Sequence, residues 1–318
     1  MNMAKTTAVR LIKSSSDITP LIQLIPASTS FPQPGQGQFL VVRGDCIGAA
    51  GEGNKYFKLL YNLPSLEAEA PPVVSVGGPW SNHLHALAHA CAARQLTVHG
   101  FIRGLDYSNT PTIDTLRSLG MQLHHLDRVT YRAERDQQWQ GLPERLGLAS
   151  DQVCLLPEGG SNAAAVRGVR VWARSIFDAL QPSAVDPVTL YVGAGTGATM
   201  AGFICEASEH CRIVGVPAGR FGNWLGDAVT RAIAAQAVPV ECEWVLEDGG
   251  DAGNFGRMTD WLRDFISGFD REYGIRLDPV YTGKVARVAL EGVAHDQRRH
   301  VMIHTGGLQR AAFPVLQE

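Results

Sequence analysis

A chain of 318 residues, 45% apolar and 19% charged, has the make-up of a globular protein with a sizeable core, which excludes a disordered or fibrous chain. Its formal net charge of -3 offers no electrostatic footprint for nucleic acid or an anionic membrane. No apolar run reaches the length of a membrane span, and the stretch 1–20 lacks a secretory hydrophobic core, so a cytoplasmic location is expected.

In chain order, the proline- and glycine-rich segment Phe31–Gly37 reads as a surface loop. GEGNKYFKLL, residues 51–60, is a glycine-rich turn that opens a short helix with Lys55 and Lys58 in about its first turn. From residue 73 onward short β-rich runs alternate with helical patterns. A strand at Val73–Val76 precedes a helix starting at Ser81-Asn82, whose Leu84, Leu87, Ala88 and Cys91 form a stripe. A strand at Val98–Ile102, a helix near Thr110–Leu119 and a strand near Met121–Leu126 follow. The polar, charged stretch Thr130–Gly147 reads as mobile. Beyond it lie a strand at Val153–Leu156 and a long helix burying Val166, Val169, Ala173, Ile176 and Leu180. Then come a strand at Thr189–Val192, a helix at Thr199–Ala207 and a strand at Arg212–Val216. Helices near Arg257–Phe269 and Gly283–Ala294 and a strand at His300–Ile303 complete the pattern. Such alternation implies an α/β fold with parallel-rich sheets covered by helices on both faces. No linker divides the chain, which suits two lobes that exchange segments.

The six cysteines form no C-x-x-C pair and match no zinc spacing, so they read as reduced and structural, with no metal expected. Only five of the 28 basic residues are lysines, so chemistry that needs a primary amine has few candidates. Lys55 and Lys58 stand three apart at a helix start, where the helix field and their mutual repulsion oppose the charged form. A solvated pair is one reading; an amine of lowered pKa fit for a Schiff base is the other. In SVGGPWSNHLHAL, residues 75–87, a parallel strand delivers Ser81 and Asn82 to the crevice where α/β proteins hold ligands, although an ordinary N-cap has the same signature. His85 and His89 lie four apart and suggest a metal pair, but no glutamate lies between them as in a zinc-protease helix, so a helix flank is the plainer reading. TLYVGAGTGATMAG, residues 189–202, is a strand, a Gly/Thr-rich loop and a helix start: a phosphate nest with Thr196 and Thr199 as added donors. Gly193, Gly195 and Ala198 also spell G-x-G-x-x-A, which keeps a dinucleotide-dependent oxidoreductase open, but no acidic residue is evident after a second strand. Tyr281, in LDPVYTGK, offers a face to stack on a flat ligand, and Thr305, in IHTGG, sits just past a strand before two glycines.

In this order, GNKYFKLL, GGPWSNH, PEGGSN, GTGATMAG, DPVYTGK and HTGG resemble the 1-aminocyclopropane-1-carboxylate (ACC) deaminase and D-cysteine desulfhydrase family, from about Val41 to Phe313. The resemblance implies the two-lobed tryptophan synthase β-like fold and pyridoxal 5'-phosphate (PLP) as cofactor. It implies a large domain of residues 1–57 and 168–318 and a small domain of 58–167. It makes Lys55 the Schiff-base lysine with Lys58 its basic neighbour, and has Asn82 bond the cofactor's phenolic oxygen. Ser81 falls beside the substrate, Thr196, Gly197, Ala198 and Thr199 around the phosphate, Tyr281 near the ring and Thr305 at the pyridine nitrogen. Lys55, Ser81 and Tyr281 are the catalytic candidates, and Trp80, Ser81, His83 and Phe255 the substrate pocket. A small amino-acid substrate and a homodimer are further family expectations.

Three positions depart from the family's pattern. Trp80 stands where many relatives have glutamine, Phe57 replaces an arginine, and Phe255 stands where a second active-site tyrosine is usual. Thr282 and Thr305 occupy positions where ACC deaminases have glutamate and leucine, as in the D-cysteine desulfhydrase branch. A threonine leaves the pyridine nitrogen largely neutral, which suits β-elimination better than opening a cyclopropane. The expected activity is therefore D-cysteine desulfhydrase-like, giving a 2-oxo acid and ammonia. ACC deamination, racemisation and a catalytically weak PLP-binding protein are the alternatives.

Overall fold

The computed structural model describes residues 18–26, 31, 38–48, 51–65, 70–104, 109–247, 256, 258–295 and 297–307. Phe255 and most of 31–37 lie outside the described residues.

Among the described residues, ten strands form two sheets. The larger contains β1 (Ile22–Ile25), β2 (Phe39–Arg43), β7 (Val188–Ala194), β8 (Cys211–Pro217), β9 (Glu243–Leu246) and β10 (Arg299–His304), in the order β1-β2-β10-β7-β8-β9. Only β1 is antiparallel, pairing Ile22 with Val42; the others run parallel, with Val301 beside Leu40 on one side and Leu190 on the other. The smaller sheet is wholly parallel, ordered β5-β4-β3-β6, from β3 (Val73–Gly77), β4 (Val98–Arg103), β5 (Gln122–Leu126) and β6 (Cys154–Leu156).

Period-two alternation sends successive side chains of β7 to opposite cores. Leu190 and Val192 join one, with Trp172 and Phe203 of α5 (Ala163–Leu180) and α6 (Ala198–Ile204). Tyr191 joins the other, with Phe269 of α8 (Asp260–Tyr273) and Val285 and Ala289 of α9 (Thr282–Val293). Both faces are covered, which is why these strands read as continuous apolar runs. In the smaller sheet, α2 (Asn82–Arg94) and α3 (Pro111–Ser118) cover one face through Leu84, Leu87, Ile113 and Leu116.

The other face corrects the expectation of a mobile stretch at Thr130–Gly147. Residues Arg128–Asp136 form helix α4, capped by Asp127, whose Oδ1 accepts from the Val129 and Thr130 amides. Tyr131, Trp139 and Leu142 are buried against Val74, Val76 and Phe101. The charges that suggested mobility are the solvent face of an amphipathic helix, and the apolar residues are spaced too widely to stand out. The sequence pattern also passed over β1, β2, β9 and α7 (Trp224–Ala234).

One short element links the two sheets' helices. Helix α1 (Asn54–Leu59) packs on α5, with Phe57 stacked on Trp172 at 5.0 Å between centroids. The contact is close: a Cβ on Gly168 of α5 would lie 1.9 Å from the Phe57 carbonyl oxygen. Phe57, an arginine in the family pattern, is thus a core residue here.

Candidate active site

The carboxyl ends of β3, β7 and β10 open into one cavity of about 1720 Å³, where an α/β sheet presents its loops to a ligand. Lys55, Lys58, Trp80, Ser81, Asn82, His83, Thr196, Gly197, Ala198, Thr199, Tyr281 and Thr305 all line it. Of the residues expected at the site, only Phe255 is not placed there, since it lies outside the described residues; Gly256 beside it does line the cavity.

Helix α1 delivers the two lysines. Gly53, at φ 55°, opens the helix, and a Cβ there would lie 2.2 Å from the Thr305 carbonyl oxygen, so the turn needs glycine. Lys55 Nζ donates to Asn54 Oδ1 at 3.2 Å, and Asn54 Nδ2 donates to Thr199 Oγ1 at 2.9 Å, which ties the amine to the start of α6. Burial pushes the Lys55 pKa down to about 8, and the Asp278 carboxylate acts against that shift. The expected cause, the helix field and the neighbouring lysine, is thereby corrected: loss of hydration does most of the work. The Lys58 pKa is lowered well below its ordinary value, by burial and then by Lys55. Lys58 Nζ donates to Gly159 O at 3.1 Å, Ser161 Oγ at 2.9 Å and Thr196 Oγ1 at 3.4 Å. Ser161 and Thr196 also bond each other, so PEGGSN and GTGATMAG meet at Lys58.

Ser81 is the N-cap of α2, its Oγ accepting from the Leu84 amide at 3.2 Å, so it is an ordinary cap as well as a cavity residue. Asn82 follows as the first helical residue, and Gly307, at φ 83°, leaves room for it: a Cβ on Gly307 would lie 2.3 Å from Asn82 Nδ2. His83 turns inward. Ser75 Oγ donates to Leu156 O at 2.9 Å and so accepts from His83 Nε2, 2.8 Å away; His83 Nδ1 is buried without a partner. Burial, then the charges of Lys55 and Lys58, lower its pKa to about 3, so the ring is neutral.

Gly197, at φ 85°, begins α6, and a Cβ there would lie 3.2 Å from the Val229 amide nitrogen. The first-turn N–H groups of a helix are free to meet an anion. Tyr281 packs where Gly193 and Gly195 leave space; a Cβ on Gly195 would lie 2.8 Å from its hydroxyl. After β8 come Ala218, Gly219 and Arg220, so the acidic residue of a dinucleotide site is missing.

Asp278 was not singled out, although it stands in the DPVYTGK motif. Its Oδ1 accepts from the Val280 and Tyr281 amides, and its Oδ2 from the Thr282 amide and, at 2.7 Å, the Thr282 hydroxyl. Thr282 is fully buried in this turn. The nearby negative charge is therefore Asp278, not residue 282. His85 and His89 have ring centroids 4.7 Å apart, and burial, then His89, lowers the His85 pKa to about 4. Among the described residues no group of three or more His, Cys, Asp or Glu could hold a metal. Nor is any helix among them long and apolar enough to cross a membrane.

The residues present fit pyridoxal phosphate. They offer an amine of lowered pKa, a helix start at a glycine where a Cβ would crowd Val229, and an amide, a hydroxyl and an aromatic ring around one cavity.

No family model matches the chain. It is 27% identical over 312 residues to a Pyrococcus horikoshii protein named "Putative 1-aminocyclopropane-1-carboxylate deaminase", covering 91% of this chain and 92% of that one. It is 25% identical over 311 residues to the Arabidopsis thaliana bifunctional D-cysteine desulfhydrase/1-aminocyclopropane-1-carboxylate deaminase, covering 86% of this chain and 73% of that one. A solved structure of an ACC deaminase homologue superposes with a TM-score of 0.75 at 26% identity, covering 92% of this chain and 90% of the other.

Proposed function

We infer that this chain belongs to the ACC deaminase and D-cysteine desulfhydrase family, with its tryptophan synthase β-like fold, and that as a PLP-dependent enzyme it catalyses β-elimination from a small amino acid such as D-cysteine. The single observation that carries the reading is Lys55: a cavity amine brought down to about pKa 8, among the cofactor-sized set of donors described above.

When bound, PLP supplies an electron sink for the bonds at the substrate's α-carbon. The chain's own residues do the rest. Lys55 holds the cofactor through its amine, and the same amine, unprotonated in a large fraction near pH 8, takes the α-proton. Lys58 and the start of α6 receive the phosphate; Lys58 brings positive charge when protonated and Thr196 a hydroxyl. Asn82 would orient the cofactor ring and Tyr281 would pack beside it, while the Ser81 hydroxyl, whose proton is not used by the cap, would be available to the substrate. Thr305 would give the pyridine nitrogen a neutral partner, which would favour removal of an α-proton with loss of a β-substituent over ring opening. His83 is too firmly neutral to act as an acid at physiological pH and shapes the floor of the pocket.

Borohydride treatment of the PLP-loaded protein is expected to fix the cofactor on a peptide containing Lys55. The same preparation is expected to release pyruvate from D-cysteine or β-chloro-D-alanine and little 2-oxobutyrate from ACC. Label on Lys284 or Lys58 alone refutes the lysine assignment, and efficient ACC turnover refutes the choice of reaction.

A further inference from the structure

The cavity is larger than a small ligand needs: about 1720 Å³, against the roughly 300–1,000 Å³ of ordinary small-molecule pockets. The extra space runs to a basic wall. Arg103 ends β4, and Arg128, Arg132 and Arg135 recur along α4 at spacings of four and three, so they share one face of the helix. All four line the cavity. The Arg103 guanidinium lies over the Tyr131 ring, 5.5 Å from its centroid. A Cβ on Gly78 would lie 3.6 Å from Arg103 Nη2, so this arginine borders the loop that presents Ser81 and Asn82. Asp136 is occupied by Arg135 at 3.2 Å, and Glu158 lies beside the Tyr131 hydroxyl. Among the described residues no carboxylate pairs with Arg103, Arg128 or Arg132.

A solvated helix face would also carry arginines. This one, however, lines the same cavity as Lys55 and the start of α6. Gln138 and Trp139, which line the same cavity, sit at φ 55° and 69°, a left-handed conformation unfavourable for side chains of their size.

We propose that the amino acid taken up by this enzyme carries an anionic group at the far end of its β-substituent, which Arg103 and Arg132 bind while its α-carbon lies at Lys55. This rests on the β-elimination reading above and narrows its substrate class. The α C–H and β C–X bonds break, the leaving group departs as HX, and one water completes the balance to pyruvate and ammonium. Because the guanidinium contacts are far from the reacting carbon, they act on binding of the whole substrate and appear in KM rather than kcat.

The test uses the PLP-loaded enzyme with both enantiomers of S-ethylcysteine and S-(2-carboxyethyl)cysteine, which differ by one carboxylate remote from the sulfur. The expected kcat/KM ratio favours the carboxylate by about tenfold, the scale of one charge-assisted hydrogen bond. It should shrink with added salt, fall towards one in the Arg103→Gln/Arg132→Gln double variant and return in part with Arg132→Lys. Change of the cofactor's absorbance on titration gives the same ratio as apparent Kd values if turnover is slow. A ratio near one in the wild-type enzyme, or one that survives the double substitution in a folded protein, overturns the proposal. S-ethylcysteine turnover with no such preference leaves the β-elimination reading standing alone. Failure to bind PLP removes both.

Discussion

Lys55 and Asp278 pull on one titration from opposite sides. The Asp278 carboxylate raises the lysine's pKa against the larger effect of burial, which leaves it at about 8. Replacing the carboxylate, Asp278→Asn, is expected to move the pH midpoint of cofactor attachment below about 8, read from the pH dependence of PLP uptake. The same change removes a charged acceptor from the Thr282 amide and hydroxyl and is expected to cost about 1–3 kcal/mol in a denaturant titration. The pH dependence of stability has a definite sign. Between about 8 and the ordinary lysine value of 10.5, an unfolded Lys55 still holds its proton while the folded one has lost it. The unfolded state binds more protons there, so this group makes stability of the cofactor-free protein rise with pH across that window. The place of Lys55 in the cavity was legible, because so few lysines are present and one follows Gly-Asn. The role of Asp278 was not, because a carboxylate that caps a turn reads the same whether or not a lysine lies behind it.

At the scale of elements, what sequence periodicity could show depended on how each element is buried. The strand entering GTGATMAG is buried along its whole length and runs into a glycine-rich turn, so both it and the turn after it stood out. Strands β1 and β9 are short and only partly buried, and they lie at the sheet's edges, so they left little alternation to read. The reading of Thr130–Gly147 failed because three widely spaced residues, Tyr131, Trp139 and Leu142, carry its packing. That packing can be measured. Trp139→Ala is expected to destabilise the fold by about 3–5 kcal/mol, as for other large-to-small changes in a core, and to do so in a chevron or denaturant midpoint shift. A cost within a few tenths of a kcal/mol would instead mean that the segment contributes little to the core. The arginine wall shares the same origin: its members lie in segments 103 and 128–135, and only the fold brings them beside Lys55.

Over the whole molecule, the cavity draws its lining from both sheets, with Ser81 and Asn82 after β3 and Thr196, Tyr281 and Thr305 from the larger sheet's side. A ligand held there bridges parts of the chain that are far apart in sequence and binds only the folded form. PLP at a hundredfold excess over its Kd is expected to add about 2.7 kcal/mol of stability, read as a rise in melting temperature, and Lys55→Ala should reduce that rise. An equal shift in both proteins would place the cofactor's anchor elsewhere. The contact between α5 and α1 carries a further consequence, best put in terms of inheritance. Gly168 has no functional group and does not line the cavity, but any side chain there meets the backbone of the helix that holds Lys55. A genetic screen for inactive alleles would therefore be expected to return substitutions at this position alongside those of the lysine itself. The trait that the lysine confers is inherited jointly with a glycine more than a hundred residues away along the chain.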